Sequence, residues 1–456
     1  MVSQRFDSQR FNLTHGDIGG KLLQVSVPIV GTQLLLMSYN LVDMFLLGRL
    51  SSDAVASSGS AGMYMWLANG LVLIGRLGAE IGVAQCSGRR DKAGALLYSQ
   101  NALLLAFVFG TLFGLACIFA PGPLIGVLNI QERHVAADAE AYLAIVGFGM
   151  PALFLGASIA GAFTGSGNSR TPFFVNAVGL IVNAVLDPLC IFTFGMGVRG
   201  AAIATVIAMY CAFSLSLFWL FTKRDRPFGH YVLFKKPVRR VVSRILRWSV
   251  PISIEAMLFT VFSMMVARYV ADFGADAIAA FRVGSQAESL SWLICLGFST
   301  GITAFVGQNF GAGEWGRIWS CLRIATVGVF VYGVFLTALF LICNRGIIGL
   351  LIPDPVIIDM GARYLWILAW CQLVFCLESV ASGAFRGFGR TLPPSLASIC
   401  SNGVRVFVVA YLSSTSLELE GVWLGITLCA TFRGLWVFIW FLLDRRNRPR
   451  ATSELS

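Results

Sequence analysis

The sequence predicts an all-α polytopic membrane protein with about twelve transmembrane helices in two pseudo-symmetric lobes of six helices each. Three observations predict this fold class. The composition is strongly apolar, the apolar residues form segments long enough to span a bilayer, and several motifs of the first half recur in the second half.

The 456-residue chain is 57% hydrophobic and 12% charged, whereas a soluble domain is about 45–50% apolar and about 25% charged. This composition excludes a soluble enzyme with one large core. The net charge of +11 does not indicate nucleic-acid binding. The basic residues stand at the ends of apolar segments and in one connector, which is the loop asymmetry of a membrane protein.

Each apolar segment provides the roughly 20 residues that a helix needs to cross a bilayer. In the first half the segments lie near 22–48, 55–84, 94–120, 138–164, 172–195 and 200–222. In the second half they lie near 247–271, 277–306, 320–344, 361–384, 394–413 and 421–443. The polar residues before the first segment lack the apolar core of a cleaved signal peptide, so we expect that segment to be retained as a helix.

These segments divide the chain into an N-terminal segment, two lobes, a basic linker and a tail. The parts are 1–21, 22–222, 223–246, 247–443 and 444–456. Lys and Arg are dense in the linker, which is expected to be solvated and attracted to anionic lipid, and in the tail. The positive-inside rule therefore predicts cytoplasmic termini in the inner (cytoplasmic) membrane.

An internal repeat relates the two halves at an offset of 223 residues, which becomes 222 near the end of each half. The paired motifs are SVPI at 26–29 and 249–252, AQCSG at 84–88 and GQNFG at 307–311, and GAFTGSGNSRTP at 161–172 and GAFRGFGRTLPP at 383–394. Because each half has an even number of helices, both halves have the same orientation. Parallel repeats of this kind occur in secondary transporters, with the site between the halves.

The sequence gives no sign of catalytic or nucleotide chemistry. GQNFGAGE lacks the GK[ST] ending of a phosphate-binding loop, the 11 Cys have no metal-ligand spacing, and the three His lie in polar segments. We therefore expect neither an enzyme nor a cofactor. An ion gradient remains as the energy source, and ionisable groups inside the bilayer are the candidates for coupling.

The first half carries the clearest set of such groups. Asp43 lies in the middle of a segment, and Asn183 and Asp187 are spaced i and i+4, so they share one face of a helix. Pro188 removes a backbone donor, and Thr205 adds a hydroxyl from the next helix. Two carboxylates in a low-dielectric cavity cannot both stay ionised cheaply, so this set would hold a proton or Na⁺. Alternatively, the two acids only pair with buried bases or hydroxyls.

The second half does not repeat these acids and has its own pair, Glu255 and Glu378. They would accept protons or attract a cationic substrate. The alternative is a structural ion pair with one of the arginines Arg268, Arg282 and Arg405. At the repeat offsets, Asp43 corresponds to Val266, Asn183 to Arg405 and Asp187 to Val409.

Other polar residues at membrane depth have two interpretations. Arg76 and Glu80 are spaced i and i+4, which favours a local ion pair, while Glu288 and Arg433 have no assigned role. A further group either lines a cavity or bonds neighbouring helices. Its members are Tyr39, Asn40, Gln85, Gln286 and Gln308.

Taken in order and twice over, these motifs resemble the multidrug and toxic compound extrusion (MATE) family over about residues 22–443. The resemblance implies a twelve-helix exporter driven by proton or sodium antiport. It places the first-lobe cation site on Asp43, Asn183, Asp187 and Thr205, and the acidic positions of the second lobe on Glu255 and Glu378. Arg76 and Glu80 depart from the neutral residues expected there.

The expected function is therefore the export of small amphipathic or cationic compounds, including drugs and toxic metabolites, by a monomer coupled to H⁺ (preferred) or Na⁺. One alternative is a lipid-linked saccharide flippase of the same broad superfamily, for which Arg76, Arg282 and Arg405 are the candidate pyrophosphate ligands. A major facilitator transporter is less favoured, because AQCSGRRDKAG lacks the acidic-basic signature of that class.

Overall fold

A computed structural model describes residues 11–130, 132–222, 231 and 236–444, without the side chains of residues 39–45, 48 and 52. The described part contains no strand, and twelve of its helices are long and apolar enough to cross a membrane. The predicted fold class is confirmed. Half of the predicted linker and all of the predicted tail except Asp444 lie outside the described residues.

The spanning helices are numbered in chain order, and each half contains six of them. In the first half they are α1 (Ile18–Leu50), α2 (Ser52–Gly88), α3 (Lys92–Phe119), α4 (Arg133–Gly165), α5 (Arg170–Pro188) and α6 (Gly197–Thr222). In the second half they are α7 (Arg239–Ala271), α8 (Ala275–Ala312), α9 (Trp315–Ile342), α10 (Pro355–Gly387), α11 (Leu392–Ser413) and α12 (Glu418–Leu443). Two short helices, Pro121–Gly126 and Asn344–Gly349, follow α3 and α9.

Because the described part has an even number of spanning helices, α1 begins and α12 ends at the same end of the bundle, here called the terminal face. Arg390, which follows α10, forms an ion pair there with Asp444, which follows α12. Trp315, at the start of α9, stacks on Phe388 with ring centroids 5.8 Å apart. These contacts join the ends of three helices at the terminal face.

Small residues of the repeated GAFTG and GAFRG motifs bring two helices of each half into backbone contact. In the first half, a Cβ on Gly161 or Gly165 of α4 would collide with the carbonyl groups of Arg76 or Glu80 on α2. Without a hydrophobic drive between helices in lipid, such small-residue packing is a main source of association.

The second half repeats this packing in the same register. A Cβ on Gly383 of α10 would lie 2.6 Å from the Ser299 carbonyl oxygen of α8, and one on Gly387 would lie 2.9 Å from that of Thr303. The duplicated motif therefore serves helix packing in both halves.

Two glutamines cross-link the halves at the terminal face. Gln85 of α2 donates its side-chain amide to the Gly387 carbonyl of the second half at 3.1 Å. Its repeat partner, Gln308 of α8, donates to the Gly165 carbonyl of the first half at 3.0 Å. Both glutamines are buried, so of the two interpretations the structure favours bonding between helices. The Gln286 side chain is half-buried on α8, and its cavity-lining role stays a prediction.

Two glycines allow this approach. A Cβ on Gly88 would collide with the Gln308 carbonyl, and a Cβ on Gly311 would collide with the Gln85 carbonyl. We call the contacts of Gln85, Gly88, Gln308 and Gly311 the seam. They hold α2 and α8 backbone to backbone across the two halves.

The N-terminal segment packs onto the seam. Leu13 is fully buried, its N–H donates to Gln308 Oε1 at 3.0 Å, and its carbonyl accepts from the Asn309 amide at 3.2 Å. The backbone of Leu13 thus adds two hydrogen bonds at the seam. The sequence identifies this N-terminal segment only as polar.

Helix α7 begins at Arg239, earlier than its apolar segment predicts. Its first turns are amphipathic: Val241 and Ile245 are buried against the first half, and basic residues stand next to them along the chain. Because of these basic residues, the mean hydropathy of the stretch is low. Upstream, Tyr231 bonds Ser99 at 2.9 Å. Burial raises the pKa of Tyr231 to about 12, so its hydroxyl stays neutral at physiological pH.

Replacing Gly311 by alanine should destabilise the seam, because the new methyl group would collide with the Gln85 carbonyl. Overpacking of this kind costs about 1–3 kcal/mol. We expect a measurably lower apparent melting temperature in detergent. Gly316→Ala is the matched control, since no atom lies within 4 Å of its Cβ position. Equal melting temperatures for the two variants would contradict the seam.

Candidate functional site

The first-half site is built on the last turns of α5. Asn183 and Asp187 are both buried, with relative exposures of 3% and 0%. The Asn183 amide donates to Asp187 Oδ1 at 2.7 Å. The i, i+4 spacing thus places both groups on one face of the helix, as predicted. Both side chains carry oxygens of the kind that hard cations take as ligands.

The helix changes its geometry directly after these residues. The α-helix ends at Pro188, and the chain continues through a π-helical turn at Leu189–Thr193. Pro188 cannot donate the N–H that a helix would give to the carbonyl four residues earlier. π-Helical turns are frequent at functional sites, and this one adjoins the only acid of α5.

Thr205 lies on α6, which packs against α5 through Gly179 and Ala212. Its Oγ1 is buried and has no hydrogen-bond partner within the described residues. Asn183, Asp187 and Thr205 offer carboxylate, amide and hydroxyl oxygens, the ligand type that hard cations prefer. Such a set suits a proton or Na⁺.

The α1 members of the predicted site cannot be placed in the same detail. The side chains of Asp43, Tyr39 and Asn40 lie outside the described residues. The assignment of these three residues stays a prediction.

The second-half acids have a different environment. Glu378 of α10 accepts a hydrogen bond from Arg433 Nε of α12 at 3.0 Å, and the two side chains are only 12% and 13% exposed. Glu255 of α7 interacts electrostatically with both residues, and its Oε2 is buried without a hydrogen-bond partner in the described part. A buried ion pair therefore does form, as the alternative interpretation holds.

The partner in this pair was not the one expected. Arg268, Arg282 and Arg405 are the predicted candidates, but Glu378 bonds Arg433. Sequence reasoning left Arg433 unassigned, although a charge inside the last apolar segment is itself a signal. Glu288, also unassigned, accepts a hydrogen bond from the Tyr364 hydroxyl at 2.8 Å.

The predicted local pair of Arg76 and Glu80 is wrong as a direct contact. Glu80 is 1% exposed, and neither of its carboxylate oxygens has a hydrogen-bond partner among the described residues. Arg76 and Arg386 act on Glu80 only through longer-range electrostatics. The i, i+4 spacing allows such a pair on a helix but does not fix the side-chain rotamers that would form it.

Arg433→Ala should strongly destabilise the protein, because it leaves a buried Glu378 carboxylate without its partner. Breaking a buried pair from one side costs about 3–5 kcal/mol. Thermal unfolding in detergent should show a large drop for Arg433→Ala and a smaller one for the double variant Glu378→Ala/Arg433→Ala.

The exposed pair Arg345–Asp359 provides the control, since its side chains are 73% and 58% exposed. Arg345→Ala should change the melting temperature little. Additive effects of the Glu378 and Arg433 substitutions would show that the two residues do not act as a pair.

Comparison with known proteins gives consistent matches along the chain. The family model MatE matches residues 28–189 and again residues 251–412, which is the predicted duplication. The chain is 26% identical to a protein of Thermotoga maritima named "Probable multidrug resistance protein NorM", covering 96% of this chain and 95% of that one. It is 28% identical to the Bacillus subtilis "Probable multidrug resistance protein YoeA", covering 88% of each.

Solved structures agree on the fold. A crystal structure of MATE in complex with MaD3S has a TM-score of 0.89 at 22% identity and covers 95% of this chain and 97% of that chain. The family matches span both halves, and the relatives span nearly the whole length. The chain therefore belongs to the MatE family of multidrug and toxic compound extrusion transporters, as the resemblance predicts.

Proposed function

We propose that this membrane transporter exports small amphipathic compounds, many of them cationic, across the cytoplasmic membrane by proton or sodium antiport. The relatives named as multidrug resistance proteins support drug-like substrates. The observation that carries the coupling proposal is the buried Asn183–Asp187 pair on α5. On the neighbouring α6, the buried Thr205 hydroxyl has no hydrogen-bond partner among the described residues. A carboxylate in this position is costly unless it binds a cation or a proton.

Asp187 holds the coupling ion in this proposal. A proton neutralises the carboxylate and weakens the charge-assisted bond from Asn183, which allows α5 to shift against α6. Sodium would be held by oxygens of the same residues, with Thr205 as an added ligand. Asp43 of α1 is the second carboxylate of the site. Protons are the preferred coupling ion.

Closure at one end of the molecule supports alternating access. The seam and the buried Leu13 close the terminal face. Further along α2, towards the opposite face, the Cβ positions of Gly59 and Gly62 have no neighbouring atom within 4 Å. This geometry fits a state that is closed at the terminal face and open on the other side.

The terminal face is cytoplasmic in our proposal. Connections at that face carry Arg89, Arg90, Lys92 and Arg170, in line with the positive-inside rule. The state described above is then outward-facing. We further propose that the transporter acts as a monomer, since each chain contains both halves around one site.

Asp187→Asn should abolish ion-driven efflux while preserving the fold, because an amide keeps the shape of the carboxylate but cannot bind the coupling ion. The measurement is efflux of a rhodamine ethyl ester, a fluorescent organic cation, from proteoliposomes under a pH gradient and then under a sodium gradient. We expect at least about a tenfold loss, and the same loss for Asp43→Asn.

The control is Asp272→Asn, which removes the same charge from an exposed position after α7. Wild-type efflux by Asp187→Asn would refute the coupling site. Absence of dye efflux from the wild-type protein under either gradient would refute cation export and favour the flippase alternative.

A further inference from the structure

Arg405 of α11 is a half-buried charge that the proposed mechanism does not use. Its guanidinium makes one hydrogen bond, to the Ser263 hydroxyl at 3.3 Å. Its Nε is buried without a hydrogen-bond partner in the described structure. No described carboxylate lies within ion-pair distance of it, whereas Arg433 is paired with Glu378. A guanidinium has five N–H donors, so most of the donor capacity of Arg405 is unused.

The neighbouring charges do not satisfy these donors. Glu288 interacts with Arg405 only through longer-range electrostatics, and Arg433 adds a repelling positive charge. The Glu288 carboxylate is already bonded to Tyr364. An arginine inside a membrane protein that lacks a partner is costly, and such residues mark substrate or ion pathways.

The repeat shows what this site replaces. Arg405 occupies the position of Asn183, Val409 that of Asp187, and Thr427 that of Thr205. Thr427 donates its hydroxyl to the Trp423 carbonyl at 2.9 Å, whereas the Thr205 hydroxyl has no hydrogen-bond partner in the described part of the chain. The second half has therefore exchanged an oxygen-rich cation site for a single positive charge.

The surroundings suit an amphipathic ligand. The guanidinium lies over the Phe259 ring at 5.6 Å from its centroid, and that ring is 42% exposed. Met257, two residues earlier on α7, touches Gly70 of the first half. Arg405 thus lies against α7, the helix whose Met257 lies at Gly70 of the first half, beside the partly exposed Phe259.

We propose that Arg405 binds an anionic oxygen group, a carboxylate or phosphate, of the transported compound. The guanidinium fork matches such groups in a bidentate geometry. Preferred substrates then carry both charges, with an anionic group at Arg405 of the second half. This inference rests on the proposed export function and narrows its substrate class to zwitterionic amphipathic compounds.

A matched pair of dyes tests this assignment by binding alone. One is a rhodamine with a free carboxylate, and the other is its ethyl ester. Fluorescence anisotropy with the purified full-length protein in maltoside micelles gives both dissociation constants. We expect the wild-type protein to bind the carboxylate dye at least about tenfold more tightly than the ester, a typical gain from a charge-assisted bond.

Three variants complete the experiment. Arg405→Gln should remove the preference for the carboxylate dye and leave binding of the ester unchanged. Arg405→Lys should retain part of that preference. Arg323→Gln, at an exposed position of α9, should bind both dyes as the wild-type protein does. Arg405→Gln should also keep the wild-type melting temperature, because the guanidinium stabilises no carboxylate by direct contact. A large drop would make Arg405 a structural residue and overturn the proposal.

The remaining outcomes separate the possible sources of the anionic group. Equal binding of the two dyes by the wild-type protein overturns the proposal. Phosphatidylglycerol added to the micelles gives a second test. If it abolishes the preference for the carboxylate dye, and raises the melting temperature of the wild-type protein but not of Arg405→Gln, a lipid headgroup is the ligand and the proposal is overturned. A preserved carboxylate preference without gradient-driven efflux would contradict the export function and leave the Arg405 assignment intact.

Discussion

The close approach of helix backbones at the seam is the constraint on which the other features depend. In lipid, helices gain little from burying apolar side chains against each other, so small residues and interhelical hydrogen bonds decide how they pack. Here Gly88 and Gly311 let α2 and α8 meet, and Gln85 and Gln308 each bond a carbonyl of the opposite half. The contact is symmetric, small and polar, which suits an interface that must form and break.

The duplication preserved this packing but not the charges. Glycines at equivalent positions support both halves, whereas Asn183 and Asp187 of α5 correspond to Arg405 and Val409 of α11. The first half bonds Asp187 to the Asn183 amide, and the second half pairs Glu378 with Arg433. Similar scaffolds thus carry two electrostatically different sets of buried side chains.

The sequence alone predicts much of this arrangement. The twelve helices follow from hydropathy, and the i, i+4 spacing places Asn183 and Asp187 on one face. The partner of Glu378 was not predictable, because it depends on how α10 and α12 are rotated against each other. The start of α7 was missed because an amphipathic turn lowers the average hydropathy. The direct Arg76–Glu80 contact was predicted wrongly because i, i+4 spacing places two side chains on one helix face without fixing their rotamers.

The central claim is alternating access: the two halves are closed either at the terminal face or at the opposite face, and ion binding at Asp187 of α5 switches between the two states. Double electron–electron resonance between pairs of spin labels tests this claim directly. The labels are introduced as genetically encoded amino acids, because the 11 native Cys would also react with thiol labels. One pair, at Lys92 and Glu314, reports on the terminal face, and the other, at Val127 and Leu350, reports on the opposite face. Acidic pH or added sodium should lengthen the first distance and shorten the second, and Asp187→Asn should abolish both changes. The account would be contradicted if the two distances do not change with pH or sodium, or if they change equally in Asp187→Asn.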